Sequence, residues 1–203
     1  MDDRPDAAAG PAGIETAVGK ATIGHNQPKE VVWERWQRKR TFVRALEGTY
    51  GELQQQIWNQ PRVYGAQDQE WRGGPQLFDK TIINPQKTDI AQSIETHISC
   101  IAPGGTGQCH GHMNSAIFYC IKGKGYDIHD GKRYDYEAGD VMVVENGCVH
   151  QHFNASDSED LVLLVMKAKP LFLFMHMLFQ KVAKYPPKEA VPGFEDWTPP
   201  TDI

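Results

Sequence analysis

Long hydrophobic runs, a surplus of positive charge and paired cysteines are all missing from this 203-residue chain. The most apolar stretch, LVLLVMKAKPLFLFMHMLF from Leu161 to Phe179, is interrupted by Lys167, Lys169 and Pro170. Neither side of the break reaches the roughly 20 apolar residues of a membrane span, so the stretch reads as a strand followed by a buried helix, with no membrane as partner. Against 26 acidic residues stand 21 Lys and Arg, a formal charge of −5. That balance gives no general attraction to polyanions and excludes nucleic acid as an expected partner. The opening MDDRPDAAAGPAGIETAVGK is acidic where a secretory signal needs positive charge, and it has no continuous apolar segment, which predicts a cytoplasmic protein. The four cysteines, Cys100, Cys109, Cys120 and Cys148, show no C-x-x-C spacing. In a chain without an export signal they read as reduced thiols, mostly small core residues. Cys109 and Cys148 lie beside histidines of interest, but alternation along a strand turns Cys109 away from the face of its neighbour His110.

With 40% hydrophobic and 10% aromatic residues, the chain has enough apolar material for one globular domain with extensions. Residues 1 to 28 are rich in Ala, Gly and Pro without a sustained period and predict a flexible tail. Residues 29 to 89 form an N-terminal helical and loop extension. Within it Leu46, Tyr50, Leu53 and Ile57 fall on one helical face, and the Arg35, Arg38, Lys39, Arg40 and Arg44 cluster reads as a solvated face. A dense series of Gly and Pro follows, with a short strand at about 77 to 83. Residues 90 to 168 change texture. Short strand-like segments such as AIFYCIK, YDIH, KRYDY, VMVV and VHQHF alternate with turns, among them an Asp-Gly hairpin signal at Asp130-Gly131. The pattern predicts an all-β core, an antiparallel sandwich or barrel. From 169 to 203 the expectation is a C-terminal helix, Leu171 to about Lys184, and a tail. Sheet edges together with this apolar segment favour a homodimer over a monomer.

Two histidine pairs carry the chemistry. His110 and His112 in QCHGHMNSAIF lie two apart, as do His150 and His152 in GCVHQHFN. On a strand, residues two apart face the same way about 6.5 Å from each other, close enough for a pair of imidazoles to converge on one ion. A second such pair on another strand of the same small domain strengthens that reading over a pair of ordinary core histidines. Imidazole suits zinc, iron, nickel and copper, whereas calcium and magnesium prefer oxygen ligands.

These segments resemble the cupin superfamily. Its first motif, G-x5-H-x-H-x3,4-E-x6-G, is met by Gly104, His110, His112 and Gly123, and its second, G-x5-P-x-G-x2-H-x3-N, by Gly139, Gly147, His150 and Asn154. The resemblance implies a jelly-roll β-barrel. Two positions depart from the pattern: Ala116 stands where the family's glutamate ligand is usual, and Glu145 where proline is usual. What remains is a three-histidine set, His110, His112 and His150, similar to the gentisate 1,2-dioxygenase branch. That similarity implies Fe(II) as cofactor and molecular oxygen as co-substrate, in cleavage of a small aromatic or dicarbonyl compound bound by chelation. Phe118 occupies the place of that branch's arginine, so a carboxylate anchor is absent or supplied elsewhere. Three neutral ligands leave the ion's charge uncompensated and favour an anionic bidentate ligand. With Zn, Mn or Ni the same site would serve a lyase, isomerase or hydrolase as a Lewis acid, and a non-catalytic small-ligand-binding role is the third alternative.

The remaining site candidates follow from parity and proximity. His152 shares the face of His150 and is read as a fourth ligand, a proton shuttle, a hydrogen-bond partner of substrate or a filler of the barrel. Phe118 and Cys120 share the parity of Ala116 and are expected to line the cavity. Tyr119 and Tyr126 are candidate acids or substrate donors. Gln108, beside the first pair, and His97, on the preceding strand, are candidate substrate contacts, with a satisfied core histidine as the stronger alternative for His97; His129, before a tight turn, is expected to be exposed.

Overall fold

The computed structural model describes residues 59–86 and 93–203. The tail expected over 1–28, the helical stretch up to residue 58 and its basic cluster lie outside the described residues.

The short alternating segments become eleven antiparallel strands among the described residues: β1 (Arg72–Gly73), β2 (Leu77–Ile83), β3 (Glu95–Ile101), β4 (Cys109–His112), β5 (Ala116–Lys122), β6 (Lys124–His129), β7 (Lys132–Glu137), β8 (Val141–Val144), β9 (Val149–Asn154), β10 (Leu161–Lys167) and β11 (Gln180–Lys184). They form two sheets rather than one closed hydrogen-bonded barrel. One has the order β1-β2-β3-β10-β5-β8, the other β11-β4-β9-β6-β7. This is the jelly-roll-like arrangement expected of the all-β core.

Alternation decides which side chains lie between the sheets. Along β5, Ala116, Phe118 and Cys120 are buried while Ile117, Tyr119 and Ile121 are exposed. Along β10, Leu161, Leu163 and Val165 enter the inter-sheet core with Val144, Met142 and Ile101, and Val162 faces the other way. The opposite face of that sheet carries a second small core, in which Ile98, Cys100 and Val162 pack under Trp71, Ile82 and Trp197. Both faces of β3 and β10 are thus covered, and β10 accordingly reads as a nearly continuous apolar run. Segments outside 90–168 take part directly: β2 pairs with β3, and β11 pairs with β4.

Two turns need their glycines. Asp130 and Gly131 have φ of 46° and 88°, the doubly left-handed geometry of a two-residue hairpin, as the Asp-Gly signal predicts. Gly123 sits at φ 87°, and a Cβ there would lie 2.4 Å from the Asp160 carbonyl oxygen.

The C-terminal segment differs from expectation. Its helix, α1, covers only Lys169–Phe174. His176 then takes a positive φ of 58°, which breaks the helix, and the chain turns to add β11 along β4. A free strand edge is an unsatisfied row of backbone donors and acceptors, and pairing with it outweighs continuation of a helix whose residues are apolar all round. No helix among the described residues is long and apolar enough to cross a membrane.

Candidate metal centre

Four histidines arrive between the sheets from β4 and β9. His110 is directly opposite His150 in the β4/β9 register, and the next inward positions are His112 and His152. The rings of His110 and His150 have centroids 4.5 Å apart, those of His112 and His150 4.9 Å, and those of His110 and His112 5.4 Å. One ring nitrogen from each of the three lies within 4.8 Å of the others. The set expected from the sequence therefore converges.

Their orientation is imposed by the backbone. The Nδ1 atoms face carbonyl oxygens: Gln108 at 3.4 Å for His110, Asn114 at 2.6 Å for His112 and Cys148 at 3.3 Å for His150. A carbonyl only accepts, so each Nδ1 is the donor and each Nε2 keeps its lone pair. The Nε2 of His150 is buried without a hydrogen-bond partner, which is costly unless something else meets that lone pair. Burial is the leading cause that pushes His110 down to about 4 and His112 below its ordinary value. For His150 the same burial, reinforced by the neighbouring imidazoles, lowers the pKa to about 2. All three are neutral at pH 7, the form that binds a metal.

His152 is held differently. Its Nδ1 lies 2.6 Å from Asp127 Oδ2, and its ring packs 4.5 Å from that of Phe118. Asp127, fully buried on β6, also receives the Tyr136 hydroxyl at 3.0 Å and His129 Nε2 at 3.3 Å. Burial raises its pKa, but the neighbouring imidazole of His152 and these three hydrogen bonds outweigh that and hold it at about 2. Asp127 was not among the expected site residues. Its parity with Gly125 and His129 was the available signal.

The histidines open onto a cavity of about 290 Å³, which Phe118, Gln108 and His97 also line. Lys167, at the end of an apolar strand, lines it as well and pairs with Glu95 at 3.3 Å. Burial lowers the pKa of Lys167 and, more strongly, that of His97.

Three expectations are corrected. Tyr119 is 40% exposed on the outer face of β5, because its odd parity relative to Phe118 turns it away from the cavity; Tyr126 likewise faces outward, stacked on Phe153. Cys120 has the inward parity but lies about 6.6 Å further along the strand than Phe118; it is sealed in the apolar core with its thiol against the Lys122 and Gly123 carbonyls, outside the cavity. His129 is buried, not exposed, since it shares the inward parity of Asp127. Cys148 lies with His129 and Glu145 rather than with the three histidines, and Cys109 belongs to neither group.

Comparison with known proteins agrees with this architecture. Residues 97–167 match the family model described as "Cupin domain". No curated protein matches the chain significantly. Among solved structures, salicylate 1,2-dioxygenase from Pseudoaminobacter salicylatoxidans, in an adduct with gentisate, is similar with a TM-score of 0.50 at 16% identity, over 57% of this chain and 31% of that one. A deletion variant of oxalate decarboxylase from Bacillus subtilis aligns at 24% identity with a TM-score of 0.49, over 53% of this chain and 30% of that one, a likeness too slight to argue from. The chain thus matches about a third of the length of each. The family match falls at residues 97–167, the span of the two-sheet fold that carries the motif histidines, so this part of the β-sandwich is similar to a cupin domain.

Proposed function

We propose that His110, His112 and His150 hold one divalent transition metal, iron(II), and that the chain is a dioxygenase of small anionic aromatic or dicarbonyl compounds. The observation that carries this reading is the buried, unpartnered Nε2 of His150, with both neighbouring imidazoles pinned through Nδ1 so that their Nε2 lone pairs are free. The donor set fits a borderline metal. When bound, such an ion supplies chelation of two substrate oxygens and, as iron(II), activation of molecular oxygen. The relative crystallised with gentisate supports the substrate class by analogy of fold.

The chain's own residues do the rest. Asp127 keeps the proton of His152 on Nδ1, which leaves Nε2 as an acceptor able to take the proton of a substrate hydroxyl. Phe118 provides an apolar wall for a flat ring. Lys167, at the cavity wall, takes the place of the absent arginine as anchor for a substrate carboxylate. Gln108 and His97 are assigned to polar contacts with substrate.

We also assign a homodimer, supported by the exposed apolar side chains of Ile117, Val141 and Val143 on one sheet face and of Leu173, Phe174 and Phe179 after it; sedimentation tests it. The function is tested by metal analysis of protein purified without added ions, followed by oxygen uptake with dihydroxybenzoates, catechols and β-diketones. The expected result is iron and uptake with at least one class. Zinc, manganese or nickel in place of iron, or no uptake by an iron-loaded sample, overturns the dioxygenase reading and favours Lewis-acid chemistry at the same histidines.

A further inference from the structure

We propose that His129, Glu145 and Cys148 form a second cation site, selective for a zinc-class ion and separate from the three-histidine set. Their ligand atoms lie within 4.8 Å of one another. His129 Nδ1 is 3.4 Å from Glu145 Oε2, which matches the edge of about 3.4 Å expected between two ligands bound at about 2.0 to 2.1 Å around a tetrahedral ion.

Two cross-braced turns build the site. Glu145 and Cys148 are the first and last residues of one tight turn, closed by the Cys148 N–H donating to the Glu145 carbonyl at 3.3 Å, with Gly147 at φ 80°. His129 ends β6 at the neighbouring hairpin. The Asp130 side chain accepts from the Val149 N–H at 3.0 Å, and the Asp130 N–H donates to the Val149 carbonyl at 2.9 Å, tying hairpin to turn. The outer nitrogen of His129 meets the Asp127 carboxylate at 3.3 Å. A carboxylate behind a ligating imidazole is the usual support of a metal histidine.

The donor set defines the ligand. A thiol that ionises on binding, an imidazole and a carboxylate suit zinc and disfavour calcium and magnesium. Cys148 and His129 are buried, whereas the Glu145 side chain is 61% exposed, so the ion enters on the Glu145 side and a water completes its shell. The site also reaches the cavity, because Asp127 Oδ2 receives both His129 Nε2 and His152 Nδ1.

Equilibrium dialysis of the full chain against zinc, and separately cobalt, tests the proposal. Two equivalents are expected for the unaltered protein. Cys148→Ser and Glu145→Gln each lose one, and His112→Ala loses the other. Cobalt-loaded protein should show a thiolate-to-cobalt charge-transfer band that Cys148→Ser abolishes and His112→Ala retains. Glu145→Gln changes an exposed side chain and serves if Cys148→Ser does not fold. Asp127→Asn should weaken the second ion about 10- to 100-fold. A single equivalent that only His112→Ala removes, or no thiolate band, overturns the site while leaving the three-histidine reading intact; two equivalents together with no oxygen uptake by an iron-loaded sample leaves this site standing and removes the dioxygenase.

Discussion

Asp127→Asn tests the interior hydrogen-bond arrangement more sharply than any ligand substitution. The native carboxylate accepts from His152, His129 and Tyr136 at 2.6, 3.3 and 3.0 Å. An amide keeps one accepting oxygen, and if it stays with Tyr136, an NH2 group meets both imidazoles. Two charge-assisted bonds, each contributing about 1.5 to 3 kcal/mol, give way to neutral ones of about half that, a loss of about 1.5 to 3 kcal/mol. The carboxyl's depression from 3.8 to about 2 points the same way, on the order of 2 kcal/mol at 1.36 kcal/mol per pH unit. Because the folded-state value is depressed, this stabilisation is present above pH 3.8 and is lost as pH falls toward 2. For a domain of this size the variant should melt about 3 to 12 °C lower at pH 7. It should also move the His152 proton from Nδ1 to Nε2, readable by nitrogen NMR of the imidazole, which removes the acceptor from the cavity. An unchanged melting temperature with the proton still on Nδ1 would refute the assignment of Asp127 as the group that sets His152.

Other substitutions separate the remaining roles. His112→Ala should strip the ion held by three histidines and lower the melting temperature of metal-loaded protein, because metal binding adds to folding free energy; equal metal content and melting behaviour remove it from the ligand set. Lys167→Met should raise KM for a carboxylate substrate at least about tenfold and leave KM for an uncharged catechol nearly unchanged, and equal effects on both deny it the anchor role. Tyr119→Phe, on the outer face, should retain kcat/KM within about twofold; a large loss would return Tyr119 to the site. For the metal-free protein, the lowered pKa of buried His97 means that the unfolded chain takes up a proton below about 6.5 that the folded chain refuses. Stability contributed by its neutral form is complete above that pH and falls by up to about 1.4 kcal/mol per pH unit below it. His97→Phe should flatten the urea midpoint against pH between 7 and 5, and an unaltered slope contradicts the assignment.

What was legible in the sequence divides along strand parity and chain direction. The position of His110, His112 and His150 followed from two spacings and a motif, because a period of two and a cross-strand register suffice to bring such side chains together. The same rule, applied to the strand of Asp127 and His129, would have turned both inward; reading His129 as a turn residue hid the carboxylate that organises the interior. Tyr119 and Cys120 failed for opposite reasons. Parity alone removes the tyrosine from the cavity, whereas Cys120 has the right parity and fails on depth, a coordinate that the alternation of one strand does not contain. Lys167 comes from a strand end and Glu145 from a turn, and the approach of Lys167 to the cavity and of Glu145 to His129 exists only once β10 lies between β3 and β5 and β6 lies beside β9. At the C-terminus the local pattern pointed to a long helix, and the free edge of β4 decided otherwise, since pairing one strand there satisfies a row of backbone groups that side-chain periodicity never sees. Faces were therefore readable from local pattern wherever parity was followed through, while depth and edge pairing had to come from the assembled sheets. The chemistry of this domain depends on both: the imidazoles share a face, and the carboxylate, the lysine and the turn that surround them are brought there by topology.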